Sequence, residues 1–136
     1  MRGSADLILR HADGRPLPLQ VRRCDTLGCR LLGLMFRRRL LPGEALLFVE
    51  PAESRIATAI HMWFVFFPLG VVWLAADGTV VDKALARPFR PYYVPAHPAR
   101  YYLEAAPSIL EEVSVGERLL IEEVGEAEQE GRPVNV

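Results

Sequence analysis

The run from Ile56 to Ala76 constrains this chain more than any other stretch: of its 21 residues, only Thr58, His61, Pro68 and Gly70 are not plainly apolar. About 20 apolar residues would suffice for a membrane-spanning helix. Pro68 and Gly70 argue against one, because proline removes a backbone donor and glycine loosens a helix, and the β-branched and aromatic content suits strands. Asp77-Gly78 follows at once and Thr79-Val80-Val81 resumes the apolar pattern, the signature of a hairpin. The expectation is two buried strands, about 56–65 and 70–76, joined by a bend at Phe67-Pro68-Leu69-Gly70, in a chain that does not span a membrane.

A length of 136 residues allows one domain with one core and is short for two. A formal net charge of −1 argues against bulk attraction to nucleic acid or anionic membrane. The charge is unevenly spread: residues 1–40 carry nine Arg against three Asp, and residues 104–130 carry nine Glu against one Arg. The two ends are expected to pair with each other. Met1 to Arg15 has no apolar secretory core, so a cytoplasmic protein is expected unless a leader has been removed. Cys24 and Cys29 have no further Cys or nearby His to complete a metal set, so no metal and no cofactor is expected. A disulfide would require their Cα atoms within about 7 Å; two reduced, partly buried thiols are the expectation.

Taken in order, Ala5–Arg10 and Leu17–Arg22 alternate as strands around an Asp13-Gly14 turn, giving an N-terminal hairpin. Pro16 and Pro18 cannot donate to a ladder, which puts the start of the second strand at a sheet edge. Asp25 or Thr26 can cap a helix over about 26–36, with Leu27, Leu31, Leu34 and Met35 as its core-facing stripe. Ala45–Val49 reads as a buried strand. Val80–Ala86 extends the strand after Asp77-Gly78, and residues 87–98, with four prolines, read as an extended loop. Arg100–Ala105 is again strand, Ser108–Glu112 one helical turn, and Glu117–Glu123 a last strand. The sum is a mainly β (α+β) fold, an antiparallel β barrel or half-barrel with one or two short helices packed on it. Residues 1–123 form the domain, and 124–136 are an acidic tail expected to be disordered.

The residues also carry a family resemblance. Asp25-Thr26, Arg30, Gly33-Leu34-Met35-Phe36-Arg37, Leu46-Leu47-Phe48, Ile60-His61, Phe67-Pro68-Leu69 and Asp77-Gly78 occur in an order and spacing that resembles the DUF192 (UPF0127) family from about residue 19 to 122. The resemblance implies a small domain of unassigned activity and carries over no catalytic set. This chain departs from the family pattern at Gly70, where Asp is usual, and at Met62 and Val65. If that Asp is the family's ligand or acid, the role is lost here.

For chemistry, His61 stands out as the polar side chain in the middle of an expected buried strand, either hydrogen-bonded in the core or lining a pocket floor. Arg37, Arg87 and Arg90 could converge on it as an anion-binding pocket walled by Trp63, Phe89, Tyr92 and Tyr93, since a guanidinium forks two donors onto a carboxylate or phosphate. Alternatively, Arg37–Arg39 form a solvated patch paired with the Glu-rich end. No catalytic triad or paired-carboxylate set can be assembled. Asp77 is assigned to its turn, and Asp82 and Lys83 to solvent. The reading is a non-catalytic binding module for a small anionic or sugar-like ligand or a protein partner, with nucleic acid not expected. The alternative is a small enzyme using His61 as acid or base, with Glu50 or Asp82 as the carboxylate partner.

Overall fold

A computed structural model describes residues 7–124. Seven strands, β1 (Leu7–Arg10), β2 (Gln20–Cys24), β3 (Glu44–Ser54), β4 (Leu69–Leu74), β5 (Val80–Ala86), β6 (Ala99–Ala105) and β7 (Leu120–Glu123), form one sheet in the order β5-β4-β6-β3-β2-β1-β7. Two short helices, α1 (Leu27–Leu32) and α2 (Ile109–Glu112), complete it. All the pairings are antiparallel except β2 with β3, which run parallel. The sheet does not close, but its two edges meet at one corner, where Thr79 bridges Arg118 and the Val80 amide donates to the Glu117 carbonyl. The architecture is the expected mainly β half-barrel with few helices. At that corner Gly78, with φ +93°, lies so close to the Leu119 carbonyl that an added Cβ would stand 2.3 Å from its oxygen.

Alternation divides the sheet into two faces. Ala45 and Leu47 of β3, Val72 and Leu74 of β4 and Leu103 and Ala105 of β6 belong to one core, which α2 covers through Ile109. Leu46 and Phe48, Val71 and Trp73, and Tyr102 belong to the other, which takes in Leu34 and the irregular segment Ile60–Val65. Lys83 donates to the Leu110 and Val113 carbonyls at 2.7 and 2.8 Å. It fastens the C-terminal end of α2 instead of facing solvent as expected, and its partner Asp82 accepts from the Lys83 and Ala96 amides.

Four further expectations are corrected. Residues 56–65 are not a buried strand: apart from an isolated bridge between Ile60 and Tyr93 they are turns, and Ile56 is 81% exposed. Apolar composition signals burial or an exposed patch equally, and here part of it is patch. β2 is not at an edge, because Pro16 and Pro18 precede it and its amides are intact from Gln20 onward, where the Gln20 amide donates to the Gly43 carbonyl. The helix is shorter than 26–36 and its stripe does not face the core: Leu27 and Leu31 are exposed, and only Leu34, beyond the helix end, is buried.

Finally, Cys24 and Cys29 form a disulfide, with Cα atoms 5.5 Å apart, in place of two free thiols. The Thr26 hydroxyl accepts from the Cys29 amide as the helix cap, and this tight entry folds the first turn of α1 back over the end of β2. The expected pairing of the chain's ends is present where it can be seen. Arg10 pairs with Glu122 at 3.2 Å, Arg23 with Glu123, and His11 with Glu117 at 2.9 Å. Of the expected acidic tail, only Val124 is among the described residues.

Candidate functional site

Three irregular segments meet on the α1 side of the sheet. The Phe36 amide donates to the Phe64 carbonyl, the Met62 amide to the Arg90 carbonyl, and the Phe89 amide to the Met62 carbonyl. Ile60 and Tyr93 exchange both backbone bonds. The middle segment is anchored from below, where the Trp73 indole donates to the Thr58 carbonyl at 2.7 Å and the Thr58 hydroxyl to Ser54 at 2.6 Å. Buried Met62 and Val65 then leave Trp63, Phe64 and Phe66 outside.

The exposed rings touch one another. Phe36 stacks on Phe64 at 5.2 Å between centroids, Phe89 meets Phe64 edge-on at 6.1 Å, and Phe66 lies 5.6 Å from Phe89. Phe36, Phe64 and Phe89, at φ +67°, +61° and +64°, are the non-glycine residues held in the left-handed region among the described residues. A bulky side chain there costs about 1–2 kcal/mol, so each turn tip is strained to hold a ring outward. Arg38, Arg39, Arg87 and Arg90 are exposed beside these rings in the chain, and the segments 36–43, 54–76 and 83–103 contain no Asp or Glu.

Among the residues singled out from sequence, His61, Trp63, Arg87, Phe89, Arg90 and Tyr92 all lie on this joined pair of segments and are all exposed. His61 is therefore not a core histidine; its Nδ1 accepts from the Trp63 amide at 3.2 Å. Neither carboxylate considered for it is a partner, since Glu50 lies beside Arg30 at 3.9 Å and Asp82 is taken by amides. Arg37 does not offer its fork outward. It holds Glu44, and Arg22 joins the same carboxylate at 3.1 Å, so Arg37 pairs with neither a pocket nor the Glu-rich end.

Beneath α1 is a cavity of about 80 Å³ that reaches the rim at His61 and Arg30. Glu104 of β6 faces it, 7% exposed, between Leu46 of β3 and Val71 of β4. Burial pushes its carboxyl up to about 8, and pushes the neighbouring Tyr102 hydroxyl up as well. Sequence reasoning passed over Glu104 as an ordinary strand residue. The available signal was a carboxylate on the Tyr102 face of a strand whose paired neighbours, Leu46 and Val71, are apolar. No group of three His, Cys, Asp or Glu side chains is placed to share a metal ion among the described residues.

Fold and site together define a small β-rich protein with a curled mixed sheet, one buried carboxyl cavity and an exposed aromatic cluster. The chain belongs to the DUF192 family, described as "Uncharacterized ACR, COG1430", which matches residues 8–121. It is 38% identical over 114 residues to UPF0127 protein PF1050 of Pyrococcus furiosus, covering 82% of this chain and 95% of that one. A UPF0127 protein of Thermococcus gammatolerans is 34% identical over 131 residues, 96% of this chain and 84% of the other. Among solved structures, a Sinorhizobium meliloti 1021 protein described as a proposed transcription regulator superposes with a TM-score of 0.72 at 27% identity, covering 88% of this chain and 97% of that one. A protein of unknown function from Novosphingobium aromaticivorans shares the fold, with a TM-score of 0.68 at 20% identity over 85% of this chain and 83% of the other.

Proposed function

We propose that the chain is a non-catalytic binding module that presents its aromatic cluster to an acidic, apolar-bearing segment of a protein partner. The observation that carries this reading is the joined set of Phe36, Phe64, Phe66 and Phe89, exposed between 43% and 61%. Contiguous exposed rings mark interaction surfaces in soluble folds. Strained turn tips that hold half-exposed rings return to the fold little beyond the ring–ring contacts and are explained by what they meet. The flanking Arg38, Arg39, Arg87 and Arg90, with no acid in the same segments, favour an anionic partner. Trp63, Tyr92 and the free edge of the His61 ring add amphipathic contacts of the kind enriched at interfaces.

Amide and indole NMR signals followed on addition of an acetylated peptide alternating Glu with Leu and Phe test this. Signals of Trp63, Phe64, Phe89 and Arg90 should move, and the double change Phe64→Asn with Phe89→Asn should abolish the movement. A polylysine peptide should leave them still. Simple carboxylates and sugars form the second arm and duplex DNA the third, the latter because of the Sinorhizobium protein's description. Should either arm move these signals where the acidic peptide does not, the protein-partner reading is wrong.

A further inference from the structure

We propose that the cavity under α1 is a second binding site, for a small organic cation: a primary ammonium on a short alkyl body, with Glu104 as its counter-ion. It is independent of the aromatic face, with which it shares only His61 at the rim.

The Glu104 carboxylate is more than nine-tenths buried and faces the cavity, yet no described residue hydrogen-bonds to it or pairs with it. Its oxygens are not sealed off, since every fully enclosed side-chain oxygen or nitrogen among the described residues has a partner. A carboxyl this buried and unpaired is costly to ionise, so it stays protonated unless water or a cation reaches it through the cavity. A fold that needed only packing would put an apolar residue between Leu46 and Val71.

The space above this carboxyl is kept open by a glycine. Gly33 ends α1 at φ +48°, and a Cβ there would stand 3.3 Å from Phe48 Cζ and 3.9 Å from Glu104 Oε1. Any side chain at 33 would project toward the carboxylate. Leu34, Met35, Ile60 and Val65 supply apolar wall, and the stacked pair Phe48 and Tyr102, 4.5 Å apart, supplies aromatic wall. A cavity of 80 Å³ accommodates on the order of five non-hydrogen atoms, at roughly 10–15 Å³ of such space per water-sized group.

Charge selects the ligand class. The polar groups that line the cavity with Glu104 are Arg30 of α1, Tyr102 of β6 and His61 of the rim. Arg30 does not neutralise Glu104: it donates to the Val49 carbonyl at 3.1 Å and lies 3.9 Å from Glu50. With Arg30 engaged at Val49 and Glu50, Glu104 has no paired cation among the described residues. A divalent metal would need several hard ligands, which the described residues do not assemble, whereas an ammonium is satisfied by one carboxylate and by ring faces.

Propylammonium, with 1-propanol as its neutral isostere, is the test on the full chain, read from the methyl signals of Leu34, Ile60 and Val65. Propylammonium should shift them saturably at pH 9 while propanol does not, and signals of Trp63 and Phe89 should stay in place. Binding must displace the Glu104 proton, so affinity should fall about tenfold per pH unit from pH 8 to pH 6. His61→Ala should keep that dependence, and Glu104→Gln should lose both the binding and the dependence. Equal binding of propanol, retained binding by Glu104→Gln, or no shift at pH 9 would each overturn the proposal. Because the glutamine variant could fold poorly, the Glu104 carboxyl carbon is also titrated in the native chain. Propylammonium should lower its midpoint, and an unmoved midpoint sinks the idea on its own.

Discussion

Arg37 holds both oxygens of Glu44, with Nη1 2.6 Å from Oε2 and Nη2 2.7 Å from Oε1, while the Leu41 amide donates to Oε1 at 3.0 Å. The pair ties the segment after α1 to the first residue of β3 and thereby fixes where Phe36 stands. Glu44 is the more buried partner, with 12% of its side chain exposed, so removing Arg37 leaves a carboxylate with only Arg22 to answer it. Arg37→Met should cost about 1–2 kcal/mol, more than a surface pair, because the bidentate contact is charge-assisted and partly dry. Urea denaturation measures it, and a change within error would show that Arg22 suffices.

The same pair sets an acid limb. The hydrogen bond from Arg37 holds the Glu44 carboxyl below its ordinary value. A carboxyl depressed on folding contributes stability that is complete above its unfolded value and is lost as pH falls through the folded one. Native chain and Arg37→Met should therefore differ most at neutral pH and converge in acid. Parallel stability curves below pH 4.5 would contradict this assignment.

The Cys24–Cys29 bridge closes a short loop. Loop-closure entropy for a separation of five amounts to about 2 kcal/mol, which at this chain length corresponds to a melting-point loss of about 6 °C. Reduction, or Cys24→Ser with Cys29→Ser, should produce a loss of that size. α1 buries none of its own residues, so the loosening should be confined to residues 25–35. Hydrogen exchange that quickens across the whole sheet would show a wider role.

Gly70 is where α2 rests on β4. An added Cβ would stand 2.5 Å from Ile109 Cγ2 and 3.0 Å from the Ala106 carbonyl. Gly70→Ala should cost about 1–3 kcal/mol through overpacking, and Gly70→Asp more, since the carboxylate would enter an apolar contact. Gly70 pairs with Ala105, on the face opposite Glu104. Gly70→Asp should therefore leave propylammonium binding intact if the chain folds; a changed affinity would mean that the two faces communicate.

Much of this was legible in the residues, for reasons that also explain the misses. Asp77-Gly78 announced the β4–β5 hairpin because turn chemistry is local. Opposite-sign ends announced that the ends pair, as Arg10–Glu122 and Arg23–Glu123 do, because charge is counted without coordinates; which residues pair was not legible. Whether Trp63, Phe64 and Phe66 face the core or water depends on partners more than 20 residues away, and hydropathy is blind to that. Parallel pairing of β2 with β3 and the closeness of Cys24 to Cys29 are likewise three-dimensional. His61 was legible as a residue in an unusual setting but not as an exposed one. Glu104 went unnoticed because a single charge in a half-polar strand looks like a solvent position until the strands on both sides are known.

The strained rings allow function and stability to be separated. Phe64 and Phe89 occupy left-handed backbone, which asparagine tolerates far better than a bulky side chain. Replacing either by Asn relieves about 1 kcal/mol of backbone cost and gives up ring contacts of about 0.5–1.5 kcal/mol. The two nearly cancel, because the rings are already 48% and 43% exposed. Phe64→Asn and Phe89→Asn should therefore melt within about 2 °C of the native chain, whereas Phe48→Asn, in the buried stack with Tyr102, should unfold it. Binding of the acidic peptide should fall at least tenfold in both exposed variants. If either loses several kcal/mol of stability in thermal or urea unfolding, the cluster is packing rather than a recognition surface, and the strain at Phe36, Phe64 and Phe89 belongs to the fold.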